Sequence, residues 1–337
     1  MRIAINGFGR IGRSVFRILN AAEDAEVVAI NDIADNEALA YLLRHDTVMG
    51  LFPDTVTVQG DVLRTSSQTV KMTEAADPGA WRWREVGADY VIESTGRYRK
   101  RADLEKHLAA GARKVILTVP AKDEIDATVV LGANEETLRP EHRIVSNASC
   151  TTNCLAPMAR VLHESFGIEA GMMNTVHAYT NDQRLADVPH SDWRRSRAAA
   201  ENIIPTTTGA ARAVGKVLPA LAGRLDGTAM RVPIPDGSIV DLVVELTAAV
   251  TADQVNEAMR AAAGTPRLRP ILHYSVDPIV SSDIVGDARS CIFDAPFTRV
   301  VDGHVVKTLA WYDNEWGYSN RVVDLIRLMD RLDTRSG

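Results

Sequence analysis

The segment Gly7-Phe8-Gly9-Arg10-Ile11-Gly12 constrains this chain more than any other. It follows directly on an apolar strand pattern, Arg2-Ile-Ala-Ile-Asn6, and runs into a stretch with helical spacing, while an acid, Asp32, ends the next strand pattern. Strand, glycine turn, helix and acid in this register are the parts of a dinucleotide-binding βαβ unit. Gly7 allows a tight turn, Gly9 lets the backbone approach a pyrophosphate, and Gly12 lets helix and strand pack closely. The helix start beyond them supplies free N–H groups and the positive end of a dipole. Asp32 is placed to accept hydrogen bonds from ribose hydroxyls, and its charge repels a 2′-phosphate, so the pattern predicts NAD rather than NADP. Arg10, a cation close by, works slightly against that preference.

The rest of the first half repeats the alternation of short apolar strands and amphipathic helices. Val27 to Ile30, a helix around Leu39 to Leu43, Tyr90 to Ile92, a helix from Asp103 to Ala110, Val115 to Leu117, Val129 to Leu131 and Ile144 to Val145 follow in turn. Such alternation predicts a parallel sheet. Thr57 to Leu63, with Gly60-Asp61 between its halves, reads as a hairpin that interrupts it. After Cys150 the character changes to a helix reaching about Phe166. Longer strands then follow at Met172 to Ala178, Thr228 to Pro233, Ile239 to Ala248 and Thr308 to Tyr312, which suggest a mostly antiparallel sheet with helices on one face. Residues 181–205 form a long polar stretch of little periodicity, and loops of that length inside a domain are usually functional. Asn320 to Leu332 repeats apolar residues at helical spacing, as a helix packing back on a domain does. The predicted fold is α/β: a Rossmann-type NAD-binding domain, residues 1–149 with 316–337, and an α+β catalytic domain, residues 150–315.

Length and composition agree with two domains. The 337 residues are 46% hydrophobic and 24% charged, which is globular composition. A net charge of −6 gives no general attraction to nucleic acid or to an anionic membrane. The longest apolar runs are strand-length, short of the roughly 20 residues of a membrane helix. No charged leader and cleavage site precedes the first strand, so a cytoplasmic location is expected. The 3 cysteines are too few, and too unevenly spaced, for a disulfide framework or a four-ligand zinc site, and no metal is expected.

One cysteine stands in a chemical setting. Ser146-Asn-Ala-Ser149-Cys150-Thr151-Thr-Asn-Cys154 puts Cys150 at a strand-to-helix junction crowded with hydroxyls and amides, and a helix start favours the thiolate. Cys154, a turn deeper, and Cys291 read as small buried hydrophobes. A thiol attacking a carbonyl needs a base, and His177, ending a strand pattern, is the candidate. The remaining histidines lack such a setting and read as structural.

Four blocks then carry a resemblance covering essentially the whole chain: Ile5 to Gly12, Ser146 to Cys154, Pro205-Thr-Thr-Thr-Gly-Ala-Ala211 and Trp311-Tyr-Asp-Asn-Glu-Trp-Gly-Tyr318. Their content and order resemble the phosphorylating glyceraldehyde-3-phosphate dehydrogenases. The resemblance implies that Cys150 forms a thiohemiacetal and then a thioester with glyceraldehyde 3-phosphate, that His177 moves the proton as NAD is reduced, and that inorganic phosphate cleaves the thioester to 1,3-bisphosphoglycerate. It implies a substrate-phosphate site at Thr180 and Arg231, and an inorganic-phosphate site at Ser149, Thr151, Arg195, Thr208 and Gly209. Asn314 and Tyr318 match residues that orient the nicotinamide, and Thr95, Gly96 and Thr118 fall where the family lines the cofactor cleft. A homotetramer is implied as well, with the long loop reaching toward a neighbour's cofactor.

The sequence departs from the commonest family pattern at Thr118-Val-Pro-Ala-Lys122, where Ser-Ala-Pro-Ala-Lys is more usual. It departs again at Pro233-Ile-Pro-Asp-Gly-Ser238, which replaces a Thr-Pro-Asn-Val-Ser version. Val188-Pro189 and Ala76 resemble NAD-using members. Two other readings compete. Erythrose-4-phosphate dehydrogenase shares the nucleophile but hydrolyses its thioester; its group resembles neither His177 to Gln183 nor Thr206 to Ala210. A non-catalytic nucleic-acid or protein-binding module would use Arg97-Tyr-Arg-Lys-Arg101 and Trp81-Arg-Trp83-Arg84, which read more simply as a solvated charge run and as tryptophans anchoring a loop.

Overall fold

Isoleucine, valine and alanine at successive positions of Arg2–Asn6 and Glu26–Asn31 leave no polar face for water, so these strands belong inside a sheet covered on both sides. In the computed structural model, which describes residues 1–336, that sheet and the elements around it run β1 (Arg2–Asn6), α1 (Arg10–Asn20), β2 (Glu26–Asn31), α2 (Asn36–Arg44), a separate short pair β3 (His45–Asp46) and β4 (Gly50–Leu51), β5 (Thr57–Gln59), β6 (Val62–Arg64), β7 (Thr69–Thr73), β8 (Tyr90–Glu93), α3 (Arg101–Ala109), β9 (Lys114–Leu117), β10 (Ala127–Thr128) and β11 (Ile144–Ser146). The strand order is β10-β11-β9-β8-β1-β2-β7-β6-β5. From β7 to β10 every pairing is parallel, and the order reverses at β1, the switch point at which such sheets bind ligands. The expected hairpin is β5–β6, antiparallel, with Gly60 at φ 60° in its turn.

The second sheet follows α4 (Cys150–Phe166) and comprises β12 (Ile168–Ala178), β13 (Ile204–Thr207), β14 (Leu225–Val232), β15 (Ser238–Leu246), β16 (Leu272–Ser275), β17 (Cys291–Asp294), β18 (Arg299–Val301) and β19 (Val305–Tyr312). With them run α5 (Ala210–Val217), α6 (Ala252–Ala263) and α7 (Ser281–Ile284), before α8 (Trp316–Ser336) ends the chain. Pairing is antiparallel except between β12 and β14 and between β16 and β17. Alternate residues of β15 and β19 are buried, the pattern of a sheet with one face on the core.

Two compact units result: residues 1–129, 136–149 and 319–337, and residues 130–135 with 150–318. The sequence reading put 130–135 with the first unit and a strand at Val129 to Leu131. Instead the strand is Ala127–Thr128. The Val130 N–H turns away to the Asn134 side chain at 2.8 Å, and Gly132 nestles against Leu268, Ile271 and Pro157 of the second unit. Within the first unit α8 packs back as expected: Asp333 meets Lys114 and Arg113, each at 2.6 Å, and accepts from the Tyr90 hydroxyl at 2.9 Å.

Candidate active site

Each glycine of the opening motif has a measurable reason in the first unit. Gly7 has φ 93°, and a Cβ there would lie 2.7 Å from the Thr95 nitrogen. At Gly12 a Cβ would come within 2.1 Å of the Gly7 carbonyl oxygen, so α1 can approach β1 only without a side chain. Gly9, the cap of α1, would meet nothing within 4 Å: its open side faces away from the protein. Arg10 and Ile11 open α1. Asp32, just beyond β2, accepts from the Phe8 N–H at 2.6 Å and from Ala34 at 3.1 Å, which ties the acid to the glycine turn. This cradle fits a dinucleotide: open backbone N–H groups at a helix start, one uncrowded glycine, and a carboxylate at the next strand end.

A buried polar chain braces the cradle from beneath. The Thr73 hydroxyl donates to Asn31, Asn31 to Asn6 at 2.8 Å, and Asn6 to Glu93 at 2.6 Å. Glu93, with no exposed surface, also receives the Thr95 N–H at 2.9 Å and His107 Nε2 at 3.0 Å. Because the Trp83 indole N–H donates to His107 Nδ1 at 3.0 Å, it is Nε2 that turns its hydrogen toward Glu93. Thr95 is thereby fixed, Gly96 follows at φ 68°, and Thr118 donates its hydroxyl to the Glu93 carbonyl at 3.1 Å. Sequence reasoning missed Glu93, although a charged residue closing an apolar strand was the available signal. Trp81 and Trp83 are buried, and Arg99 and Arg101 are engaged with the Pro120 carbonyl and Asp126.

Substitution at the glycines separates packing from binding. Gly12→Ala will lower Tm by several degrees and weaken NAD binding at least about tenfold, since overpacking of this kind costs about 1–3 kcal/mol. Gly9→Ala will leave Tm unchanged and weaken NAD binding alone. Thermal melts and calorimetric titration check both; equal Tm losses would refute the assignment of the two roles.

In the second unit the nucleophile candidate opens a 17-residue helix, α4. The turn into it is strained: Ala148 has φ 55°, held by its N–H to Ser146 Oγ at 3.0 Å, and Ser149 and Cys150 follow. His177, near the end of β12, places Nε2 3.5 Å from Cys150 Sγ. Both lie beside Tyr312, a buried phenol that bonds Thr151 Oγ1 at 2.8 Å and Thr175 Oγ1 at 2.9 Å and meets the His177 ring edge-on. Tyr312 thus pins the start of α4 to β12 and fixes the thiol–imidazole distance, a role sequence reasoning did not find.

Arg231 dominates the electrostatics. Its Nη1 lies 2.8 Å from His177 Nδ1 and 2.9 Å from the Ala178 carbonyl, which also faces Nδ1 at 2.7 Å. Nδ1 therefore meets one donor and one acceptor and supports either neutral tautomer, whereas a protonated ring would press two cations together. Burial, and then the Arg231 charge, hold the imidazole down to about 3. Burial raises the Cys150 thiol, while Arg231 and the N–H and hydroxyl of Thr151 pull it back down. Both shifts favour the uncharged pair, so burial works against the thiolate that a helix start alone would favour.

Arginine and hydroxyl groups cluster next to this pair. Thr180 and Arg195 both bond Asp182, Arg195 donates to Thr206 at 3.0 Å, and Asp182 acts on Arg231. Arg231 Nε is buried without an acceptor among the described residues, an unfilled demand for an anion. Thr208 and Gly209 lead into α5, with Thr208 Oγ1 accepting from the Ala210 N–H at 3.1 Å. Asn314 is buried and takes the Ser238 hydroxyl on Oδ1 at 2.6 Å; Tyr318 is buried in the first turn of α8. Cys154 packs under β19 and Cys291 is buried, as their setting suggested. Among the described residues no acid, histidine and cysteine group is arranged to hold a metal ion, and no helix is long and apolar enough to cross a membrane.

A dinucleotide cradle in one unit and a buried thiol–imidazole pair beside an arginine with an unfilled donor in the other are the equipment of a thiol-type dehydrogenase. The family profile described as the glyceraldehyde 3-phosphate dehydrogenase NAD binding domain matches residues 1–101, and that of the C-terminal domain matches residues 149–314. The chain is 56% identical over 327 residues to the glyceraldehyde-3-phosphate dehydrogenase of Streptomyces coelicolor, covering 96% of this chain and 97% of that one. Identity is 55% to the Geobacillus stearothermophilus enzyme and 53% to glyceraldehyde-3-phosphate dehydrogenase 1 of Bacillus subtilis, each over 326 residues, 96% of this chain and 97% of theirs. The chain belongs to the glyceraldehyde 3-phosphate dehydrogenase family.

Proposed function

We propose that this protein oxidises glyceraldehyde 3-phosphate to 1,3-bisphosphoglycerate with NAD and inorganic phosphate, and that Cys150 and His177 carry the chemistry. The observation that supports these roles most directly is the 3.5 Å approach of His177 Nε2 to Cys150 Sγ at a helix start, with the Arg231 guanidinium alongside. Cys150 Sγ adds to the aldehyde carbon, and its proton passes through His177 to the new hydroxyl of the thiohemiacetal. The Cys150 N–H, at the start of α4, is placed to donate to the developing oxyanion. His177 then takes the hydroxyl proton as hydrogen leaves the same carbon with its electron pair. NAD, when bound, supplies the acceptor for that hydride. The resulting thioester retains the energy of oxidation until a phosphate oxygen attacks the acyl carbon and the Cys150 thiolate departs.

Thr180 and Arg231 are assigned to the substrate phosphate, and Ser149, Thr151, Arg195, Thr208 and Gly209 to the attacking phosphate. The unfilled Arg231 Nε and the helix start after Gly209 support this assignment. Gly7, Gly9, Arg10, Ile11, Gly12, Asp32, Thr95, Gly96 and Thr118 are assigned to NAD, with Asn314 and Tyr318 orienting the nicotinamide. Arg10 is already engaged by Asp46 at 2.6 Å, so it offers little to a 2′-phosphate.

A homotetramer is proposed as well. Leu185 and Trp193, in the long loop, are 85% and 87% exposed, a cost to solubility that burial against another copy removes. A cytoplasmic location fits an enzyme whose nucleophile must stay a reduced thiol and whose three cysteines are all free. Light scattering on a sizing column measures the assembly. The activity is tested by NADH formation with and without inorganic phosphate, with erythrose 4-phosphate as control. Rapid turnover of the three-carbon substrate only when phosphate is present is the expected result, and phosphate-independent oxidation favouring the four-carbon sugar would overturn it.

A further inference from the structure

The departure at Pro233 to Ser238 puts an acid, Asp236, where the commoner family version has an asparagine. Its surroundings are unusual for a carboxylate. Ser238 opens β15 opposite Tyr312, the last residue of β19, so the turn before β15 and the turn after β19 meet at one end of this strand pair. Asp236 lies in the first turn and Asp313 in the second, and they are 2% and 1% exposed. Asp313 is satisfied as a carboxylate: it accepts from Glu315 N–H at 2.9 Å, from Trp316 N–H at 2.6 Å and from Gly286 N–H at 2.8 Å. Asp236 is not. Its Oδ1 takes only the N–H of Gly237 at 2.8 Å, and its Oδ2 is buried with no donor among the described residues. The groups facing it are Asp313 and Glu315, both acidic, and it acts in turn on the Cys150 thiol. Two adjacent buried carboxylates cannot both remain ionised, and the one lacking donors is the one that keeps a hydrogen.

We propose that Asp236 and Asp313 share a single proton, carried on Asp236 and donated to Asp313, and that this pair is the positioning element holding Asn314 against Ser238. Asn314 follows Asp313 directly, and its Oδ1 is fixed by the Ser238 hydroxyl two residues beyond Asp236. The carboxyl pair therefore closes a ring: Asp236, Ser238, Asn314 and Asp313 tie the two turns together, leaving the Asn314 amide N–H₂ directed by the same bonds. Removal of the shared proton leaves two negative charges in this ring, the new one, on Asp236, acting on Cys150. Burial and Asp313 push Asp236 up to about 9, and burial raises Asp313 as well, so the ring stays closed at neutral pH and opens in alkali. The positioning role rests on the assignment of Asn314 to the nicotinamide; the shared proton does not.

The test compares the unaltered protein with Asp236→Asn, which keeps a neutral donor, and with Asp236→Ala, which keeps none. Without NAD, unfolding is followed by denaturant from about pH 5.5 to 10. Below about 9 the native Asp236 binds a proton that the unfolded chain, at an ordinary carboxylate pKa, has lost. The unfolding constant of the unaltered protein, taken relative to Asp236→Asn, therefore rises about tenfold per pH unit across this window and levels above about 9. The infrared spectrum at neutral pH will contain a protonated-carboxyl carbonyl band that Asp236→Asn removes. A flat ratio, or no such band, overturns the shared proton whether or not the enzyme turns over. In catalysis, Asp236→Ala will raise KM for NAD at least about fivefold while Asp236→Asn stays within about twofold of the unaltered enzyme and loses the alkaline rise in that KM. An unchanged KM in Asp236→Ala overturns the positioning role, and if that variant does not fold, an alkaline KM rise that persists in Asp236→Asn does so instead.

Discussion

Cys150→Ser will lower kcat by about 10⁴-fold or more while leaving the folded structure and NAD affinity intact. The substitution is nearly isosteric, and the polar groups at Cys150 Sγ, His177 Nε2 at 3.5 Å and the N–H and hydroxyl of Thr151, are ones that a serine hydroxyl also satisfies. What is lost is the nucleophile. A serine hydroxyl is far less acidic than a thiol, and a neutral imidazole whose proton affinity is held low by burial and Arg231 is too weak a base to ionise it. The oxygen ester that would form also lacks the reactivity toward phosphate of a thioester. Steady-state NADH formation and intact mass after mixing with substrate and NAD, in the absence of phosphate, measure this directly: the unaltered protein gains the acyl group at Cys150, and the variant gains nothing. Activity above about one per cent of normal would remove Cys150 from the mechanism.

His177→Asn is expected to lower kcat by about 10²–10⁴-fold, the range for loss of a positioned acid–base group. Its pH dependence carries more information. In the free enzyme burial, and then Arg231 2.8 Å from Nδ1, oppose protonation, so the imidazole is deprotonated throughout the neutral range. A substrate phosphate bound at Arg231 cancels part of that field and raises the proton affinity of the ring. The acid limb of kcat, which reports the bound state, will therefore lie at higher pH than the acid limb of kcat/KM, corrected for the ionisation of the substrate's own phosphate. On the proposed assignment of His177 and Arg231, the substrate strengthens the base that acts on it. Arg231→Leu should move the kcat/KM limb upward toward the ordinary histidine range. Limbs that coincide in the unaltered enzyme would mean that Arg231 and the substrate phosphate do not meet.

The legible parts of this molecule were those written in contiguous residues. The glycine turn, the strand-to-helix junction at Cys150 and the strand ending at His177 each carry local spacing that fixes their conformation, and the structure brings Cys150 and His177 within contact although 27 residues separate them. The hairpin at Gly60 was readable for the same reason. The strand expected at Val129 to Leu131 was not, because apolar content alone does not reveal that Asn134 will take the Val130 N–H and end the ladder early. Groups that act through distant partners left weaker marks. Tyr312 bonds Thr151 across 161 residues and Thr175 across 137, so nothing near Tyr312 in the chain announces its task. Asp236 stood out only as a departure from a family pattern, and Glu93 only as a charge at the end of an apolar strand.

Asp32 bears on any attempt to re-engineer this enzyme for NADP. The usual route replaces such an acid with a small neutral residue to admit the extra phosphate. Here the carboxylate also accepts the Phe8 N–H at 2.6 Å, in the middle of the glycine turn. Taking it away leaves a partly buried amide without an acceptor, at a cost of about 1–3 kcal/mol, and loosens the turn that any dinucleotide must grip. A redesign that installs serine or asparagine, each able to accept that hydrogen, starts from a sounder scaffold than one that installs alanine or glycine.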